Sequence, residues 1–282
     1  MHVSRVMLAA ASVIGCLAMA TSALAQKSEY NVALDGTFAP HAMPTLSGDV
    51  EGFNVDLANI IGERLGAKMN ITAAQWSGLL PAMQAGKYDF IVAPTTITEE
   101  RAQNMLFTEG YLNTDFTFVV QKGAPKISAL EDLEGKVIAV NKGSLYDSWS
   151  REMAPKIGWT VQSYGTQTDA IQAVLAGRAF ANVAGSTAVA WAAKQNPNLD
   201  LSITHSTGNL FGMPFRKDDV ATRNLVEEVI ECMKKDGTFT ELSVKWFGVE
   251  PAPGSAAVTV QPGYGQPGIE GHDPTPHDNT CS

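Results

Sequence analysis

Arg101 has the most distinctive chemical capacity in this chain of 282 residues. It closes the run Thr96-Ile97-Thr98-Glu99-Glu100-Arg101, where a loop turns into a helix. A guanidinium is always charged, and its planar fork of donors matches a carboxylate through two bonds. Free backbone N–H groups at a helix start favour an anion in the same place. The plainer use of Arg101 is a surface ion pair with Glu99 or Glu109. A second helix start, at Lys142-Gly143-Ser144, offers N–H groups of the same kind. Ser144 is equally suited to be its N-cap. Phe38 and Trp76 are aromatic faces that supply apolar area and can receive a cation. Trp76 shares a helical stripe with Leu79 and Leu80, so core packing is its alternative. Asp35 suits a polar or cationic group, or simply the turn before Gly36.

Catalytic chemistry has weaker footing. Asp35, Glu100, Lys142 and His41 are loose candidates for a general acid or base, but no spacing marks a dyad or triad. His41 can reach a cleft or sit in a polar loop. Gly185-Ser186-Thr187 lacks the flanking pattern of a nucleophile elbow. His272, Asp273, His277 and Asp278 are metal-ligand types, yet they stand among prolines with no sheet or helix to hold them. No metal and no cofactor are expected.

The elements that must position these groups are legible from periodicity. Asn31–Leu34 reads as a strand. Phe53 opens a helix with Leu57, Ile60, Ile61 and Leu65 on one face, which Asn54 can cap and Gly66 can end. Lys68–Thr72 is a strand, Trp76 to Gly86 a helix, and Phe90–Ala93 an apolar strand. The alternation implies a parallel sheet covered on both faces. It restarts after Lys122. Strands are expected over 136–140, 160–164 and 179–183. Helices are expected from the Ser144 turn to Met153, from Thr168 to Gly177, and from Thr187 to Asn196. Residues 82–95 and 174–186 repeat one plan of helix, Gly stop, basic residue, strand and small-residue loop. Two similarly built lobes follow from this, since two copies do not make a solenoid. A strand over 210–216, a helix ended by Gly237 and a last helix to Trp246 complete the order. Residues 251–282 are rich in Pro and Gly and read as a flexible tail.

Composition narrows the setting. The chain is acidic, with 29 Asp and Glu against 20 Lys and Arg. No basic patch appears, so nucleic acid is not an expected partner. The N-terminus has a basic start, an apolar run over 6–20 and the sequence Ala23-Leu24-Ala25, the pattern of a signal peptide cleaved after Ala25. The apolar run falls short of the roughly 20 residues of a membrane span. Val13-Ile14-Gly15-Cys16 resembles a lipoprotein cleavage box, but the sequence stays apolar through Ala20. Cys232 and Cys281 remain after such cleavage, and can pair in an oxidising compartment.

Seven motifs, in order, carry a resemblance. They are Ala33-Leu34-Asp35-Gly36-Thr37-Phe38-Ala39-Pro40, Gly52-Phe53-Asn54-Val55-Asp56-Leu57, Gln75-Trp76-Ser77-Gly78-Leu79-Leu80-Pro81, and Thr96 to Arg101. Leu130 to Lys136, Lys235 to Phe239 and Lys245-Trp246-Phe247-Gly248 follow. Over roughly residues 29 to 249 the chain resembles the periplasmic polar amino-acid-binding proteins of ABC importers, family 3 of the bacterial extracellular solute-binding proteins. The resemblance implies an α/β, type II periplasmic-binding-protein fold, two lobes joined by two hinge strands with a ligand cleft between them. Lobe one would take residues 29–118 and 211–250, and lobe two residues 123–206. It implies a monomeric, non-enzymatic periplasmic component that captures a small amino acid or related carboxylate for a membrane permease. Two alternatives on the same fold are an accessory or sensory protein, and a dehydratase acting on cyclic amino-acid precursors.

Site residues follow from the same resemblance. Arg101 would grip the ligand carboxylate, aided by Thr96 and by the turn carrying Ser144 and Leu145. Phe38 and Trp76 would sandwich the ligand, Pro94 would offer its carbonyl, and Asp35 would hold a polar or cationic group. The family places an ammonium-binding Asp where this chain has Gly185, followed by Ser186. A buried ammonium without a partner is costly. Either another carboxylate serves, with Asp35 first in line, or the ligand is not a standard α-amino acid.

Overall fold

The structure is a computed structural model that describes residues 27–279 and Cys281. The signal peptide of residues 1–25, its cleavage after Ala25 and the Cys16 alternative lie outside the described residues.

Strand β1 (Glu29–Asp35) opens the chain. A short hairpin of β2 (Met43–Pro44) and β3 (Val50–Glu51) follows it. Helix α1 (Phe53–Leu65) buries Phe53, Leu57 and Ile61 on the face that the i, i+4, i+8 spacing creates. Gly66 ends it at φ 59°, a left-handed conformation that glycine adopts without steric cost. Then come β4 (Lys68–Ala74), α2 (Trp76–Gln84), β5 (Phe90–Ile91), β6 (Thr95–Thr96), the one-turn α3 (Glu99–Ala102) and β7 (Met105–Phe107). Strand β8 (Leu112–Gln121) crosses into a second unit. That unit holds β9 (Val137–Asn141), α4 (Leu145–Ile157), β10 (Thr160–Tyr164), α5 (Gln167–Leu175), β11 (Ala181–Gly185) and α6 (Ser186–Gln195). Strand β12 (Leu199–Gly212) crosses back to β13 (Pro214–Arg216), α7 (Val220–Lys235) and α8 (Thr238–Phe247).

Two sheets result. One has the order β4-β1-β5-β13-β7, the other β10-β9-β11-β8-β12-β6. Each contains three parallel strands, β4-β1-β5 and β10-β9-β11. Neither is parallel throughout, as the alternation suggested: β13 joins β5, and β8 joins β11, antiparallel. Each sheet has its own core. Val32, Leu34, Phe53, Phe90 and Phe215 belong to one, and Phe118, Ile138, Val140, Trp159 and Val183 to the other. Burying each such side chain contributes about 1.5–3 kcal/mol. Phe38 crosses the divide: it sits in the loop after β1 but packs into the second core.

Some local readings give way. Asn54 does not cap α1. Gly52 is the N-cap, and Asn54 is buried, with Nδ2 donating to Val92 O and Tyr111 Oη. Thr166, not Thr168, caps α5 by accepting from Asp169 N. The crossing strands β8 and β12 go unread except at residues 210–212, where β12 ends. The largest difference is the tail. Residues 251–279 have little regular structure, but they are packed rather than free. Ala257 is buried in the first core. Gly265 N donates to Glu227, and Gln261 N donates to Glu109. Gly271 O accepts from Arg223 Nη1. Lys234 Nζ, fully buried with Glu109 at 2.8 Å, also donates to Gly110 O and Thr259 O. Cys232 and Cys281 form a disulfide with Cα atoms 5.4 Å apart.

The disulfide closes a loop of 49 residues, which in the chain-entropy view stabilises by about 2–4 kcal/mol. Replacing Cys281 with Ser is expected to lower unfolding free energy by that amount and to speed amide exchange in residues 251–279. Equal stability of the two proteins in urea would refute a tail fastened by this bond.

Candidate functional site

In a parallel sheet, ligands bind beyond the carboxyl ends of the strands. Here β1 ends at Asp35, β4 runs into Trp76, and β5 leads to Ala93 and Pro94. From the other side β9 ends at Asn141 and β11 at Gly185. The two sets of strand ends face each other across a cavity of about 30 Å³.

Eight of the ten residues singled out from sequence line this cavity: Asp35, Phe38, Trp76, Pro94, Thr96, Arg101, Ser144 and Leu145. Arg101 stands in the one turn of α3, with its N–H donating to the cap Thr98. Its Nη1 donates to Thr96 O at 2.8 Å, and its guanidinium lies over the Trp76 ring at 5.6 Å. Among the described residues it makes no salt bridge. Glu109, one of its imagined partners, is taken by Lys234. Burial lowers the Arg101 pKa, with Tyr146 and Glu100 opposing; a guanidinium stays charged regardless. Ser144 is the N-cap of α4, accepting from Asp147 N while its hydroxyl donates to Asn141 O. Both of its imagined roles are therefore compatible with its position.

The opposing walls touch. Asp35 Oδ1 accepts from Thr37 N and Oγ1, and Oδ2 accepts from Asn141 Nδ2 across the cleft at 3.2 Å. Burial raises the Asp35 pKa against these bonds. Trp76 Nε1 donates to Gly143 O at 2.9 Å. Trp76 is buried in the first core as well, so its packing and its cleft-facing position coexist.

Gly185 and Ser186 do not line the cavity. Ser186 turns its hydroxyl away, to Thr117 and Asp115 O. Gly185 is walled off by Tyr146, whose Oη would lie 2.7 Å from a Cβ at position 185. Two cavity residues were not anticipated, Asn141 and Tyr146. Tyr146 follows Leu145 at the helix start, and that adjacency was the available signal. Burial pushes its hydroxyl up to about 12, with the neighbouring Thr114 hydroxyl, the Arg101 charge and the Gly185 backbone opposing. Of the loose acid-base candidates, only Asp35 lines the cavity; Glu100 and Lys142 are exposed. Among the described residues no hydrogen bond joins any two of Asp35, Glu100, Lys142 and His41. The tail histidines serve packing: His272 meets Pro262 O, and His277 meets Glu231 and stacks on Tyr264 at 3.9 Å.

Residues 30–249 match the family model of the bacterial extracellular solute-binding proteins, family 3. The chain belongs to this family. It is 27% identical over 248 residues to the lysine/arginine/ornithine-binding periplasmic protein of Escherichia coli (strain K12), covering 85% of this chain and 95% of that one. An ancestral arginine-binding protein bound to arginine is 32% identical, with a TM-score of 0.75, over 79% of this chain and 100% of that one. An ancestral amino acid-binding protein described as a precursor of cyclohexadienyl dehydratase is 31% identical, with a TM-score of 0.73, over 78% and 96%. The family's fold accounts for the architecture: a type II periplasmic binding protein, two α/β lobes joined by the hinge strands β8 and β12.

His41 lies outside the family cleft, fully buried rather than in a polar loop. Asn54 spends its Nδ2 on Val92 and Tyr111, so its Oδ1 faces His41 Nδ1, which must carry the proton. His41 Nε2 then accepts from Thr187 Oγ1 of the second lobe at 2.7 Å. Burial lowers the His41 pKa to about 4, from 6.5. A depressed histidine stabilises at neutral pH and loses about 3 kcal/mol as pH falls from 6.5 toward 4, because the unfolded chain takes the proton first. Glu227, raised to about 8 by burial, has the opposite slope in that window. The His41 share is therefore read as a difference. Wild type should lose its stability advantage over His41→Gln between pH 6.5 and 4, and parallel pH profiles would exclude a neutral buried imidazole.

Proposed function

We propose that this chain is the periplasmic ligand-binding component of an ABC importer. It captures a small polar molecule bearing a carboxylate, an amino acid or a related acid, between its lobes. The observation that carries this reading is the Arg101 guanidinium, which makes no salt bridge among the described residues and faces a cavity between two strand-end walls. A charged fork in such a place satisfies a planar anion better than water-filled space does. The backbone N–H groups at the start of α4, beside Ser144 and Leu145, add partial positive charge from the second lobe. Phe38 and Trp76 provide apolar faces, Thr96 and Pro94 the polar floor, and Asp35 a negative end. The relatives support the class: their names specify lysine, arginine and ornithine, or arginine.

Closure follows from the same geometry. A ligand that touches both walls stabilises the closed arrangement over the open one, and so shifts the population toward it. A membrane permease that distinguishes the two then reads occupancy. The protein acts as a monomer, reaching the periplasm through cleavage after Ala25. An enzymatic reading has less support, since Asp35 is the single acid-base candidate at the cavity and its oxygens face Thr37 and Asn141.

Arg101→Ala should weaken binding of any carboxylate ligand by about 2–5 kcal/mol, the usual cost of deleting one partner of a desolvated pair. Arg101→Lys should fall between, keeping charge without the fork. A thermal-shift panel of amino acids and their deaminated analogues supplies the ligand, since a molecule that binds only the folded state raises the melting temperature. Equal affinity in wild type and Arg101→Ala would remove the carboxylate site, and a panel with no response would favour an accessory protein.

A further inference from the structure

We propose that the Gly185–Tyr146 corner of the cleft selects a neutral oxygen beside the ligand's carboxylate, which makes the ligand a 2-hydroxy or 2-oxo acid rather than a 2-amino acid. This rests on the reading of Arg101 as the carboxylate anchor.

Residue 185 cannot carry a side chain while Tyr146 stands where it does. A Cβ there would meet Tyr146 Oη at 2.7 Å, Thr114 Oγ1 at 3.1 Å and Phe211 Cζ at 3.3 Å. The tyrosine hydroxyl has taken the space that an acidic side chain at 185 would enter. The Tyr146 ring is held there, edge-on to Phe116 at 5.1 Å. Its hydroxyl is buried beside Thr114 Oγ1 and the Gly185 backbone, but neither hydroxyl makes a well-formed hydrogen bond there, and Asn141 Oδ1 has no partner. Unmade bonds of this kind cost about 1–3 kcal/mol each, so such groups normally await a partner.

The character of these groups decides what that partner is. Tyr146 and Thr114 can each donate and accept, and Asn141 Oδ1 accepts. None is charged, and the Tyr146 hydroxyl keeps its proton across the physiological range. A ligand hydroxyl can accept from Tyr146 and donate to Asn141, and a keto oxygen can accept from Tyr146. An ammonium would be buried near the Arg101 cation, and Asp35, the one carboxylate lining the cavity among the described residues, stands on the opposite wall, a costly arrangement. Asp35 belongs to the opposite lobe, and its oxygens already accept from Thr37 N and Oγ1 and from Asn141 Nδ2, which spends most of its acceptor capacity. A site built to bond an oxygen discriminates strongly against an analogue that leaves those bonds unmade.

The test is calorimetric titration of the protein with matched sets of acids. Arginine, glutamine, leucine and glutamate are each compared with their 2-hydroxy and 2-oxo counterparts. The oxygen-bearing member of at least one set should bind about tenfold tighter or better than the amino member. Tyr146→Phe keeps the ring and should shrink that ratio while leaving the dependence on Arg101 intact. The double variant Gly185→Asp with Tyr146→Ala opens space for a carboxylate and should move preference toward the amino member. Tighter binding of the amino acids, still abolished by Arg101→Ala, would overturn this proposal and leave the carboxylate-binding reading standing. Silence across all sets would overturn both. Should a variant fail to fold, the wild-type ratio decides alone.

Discussion

Two separately folded cores are held in one register by the antiparallel pairing of β8 with β12. Their partners run from Leu199 with Gln121 to Phe211 with Leu112, interrupted by irregularities around Thr204 and His205. At Phe211 and Gly212 the second strand also pairs with Thr96 and Thr95, so it belongs to both lobes. Backbone bonds perpendicular to two strands resist shear yet allow bending at irregular positions. The root of this pair is unusually anchored. Just before β8, Glu109 and Gly110 meet the buried ammonium of Lys234, and Gly110 N donates to Gln266 of the tail. Burial raises the Glu109 pKa and lowers that of Lys234, while the charge and hydrogen bond of each oppose the shift of the other. Breaking such a pair from one side leaves a buried charge and is strongly destabilising, even where the intact pair adds little.

That anchoring lets the cleft do its work with few bonds. Asn141 to Asp35, Trp76 to Gly143, His41 to Thr187 and Thr168 to Thr37 join the lobes directly. A net bond of this kind is worth about 1 kcal/mol, so these four do not lock the molecule shut. A ligand contributing a carboxylate to Arg101 and contacts to Ser144 and Leu145 adds a comparable or larger increment from both walls. The balance between open and closed forms is therefore within reach of one small molecule, which a more tightly sealed interface would not permit.

The fold was legible where elements alternate, because a strand buried on both faces and an amphipathic helix write different periods into sequence. Strand β12 was read only at its end, residues 210–212: Leu199, Leu201 and Ile203 alternate with polar residues over too short a run, and the stretch from Thr204 to Gly208 is polar throughout. A strand that projects between lobes buries little on either face and leaves little pattern. The tail was misread because Pro and Gly report the absence of regular structure and not the absence of contacts. Its N–H groups are satisfied by the carboxylates of Glu109 and Glu227, which sit far away in sequence. In the site, Arg101 and the aromatic residues stood out by type. Tyr146 did not, since nothing in its local sequence says that it fills the space beside Gly185. Such a relation is visible only when two strands and a helix are brought together.

The same corner ties recognition to motion. Gly185 pairs directly with Phe116 of β8, and the Tyr146 ring rests on that Phe116. Thr114 belongs to β8 and Phe211 to β12, and both approach the missing Cβ of Gly185. Ligand atoms that bond Tyr146 therefore press on side chains of the two hinge strands themselves. Closely packed interiors transmit displacement instead of absorbing it. A group that fits this corner supports the strand geometry of the closed form, and one that does not strains it. Affinity and closure would then be set by the same few atoms, and a poorly fitting acid would bind weakly because the hinge cannot settle around it.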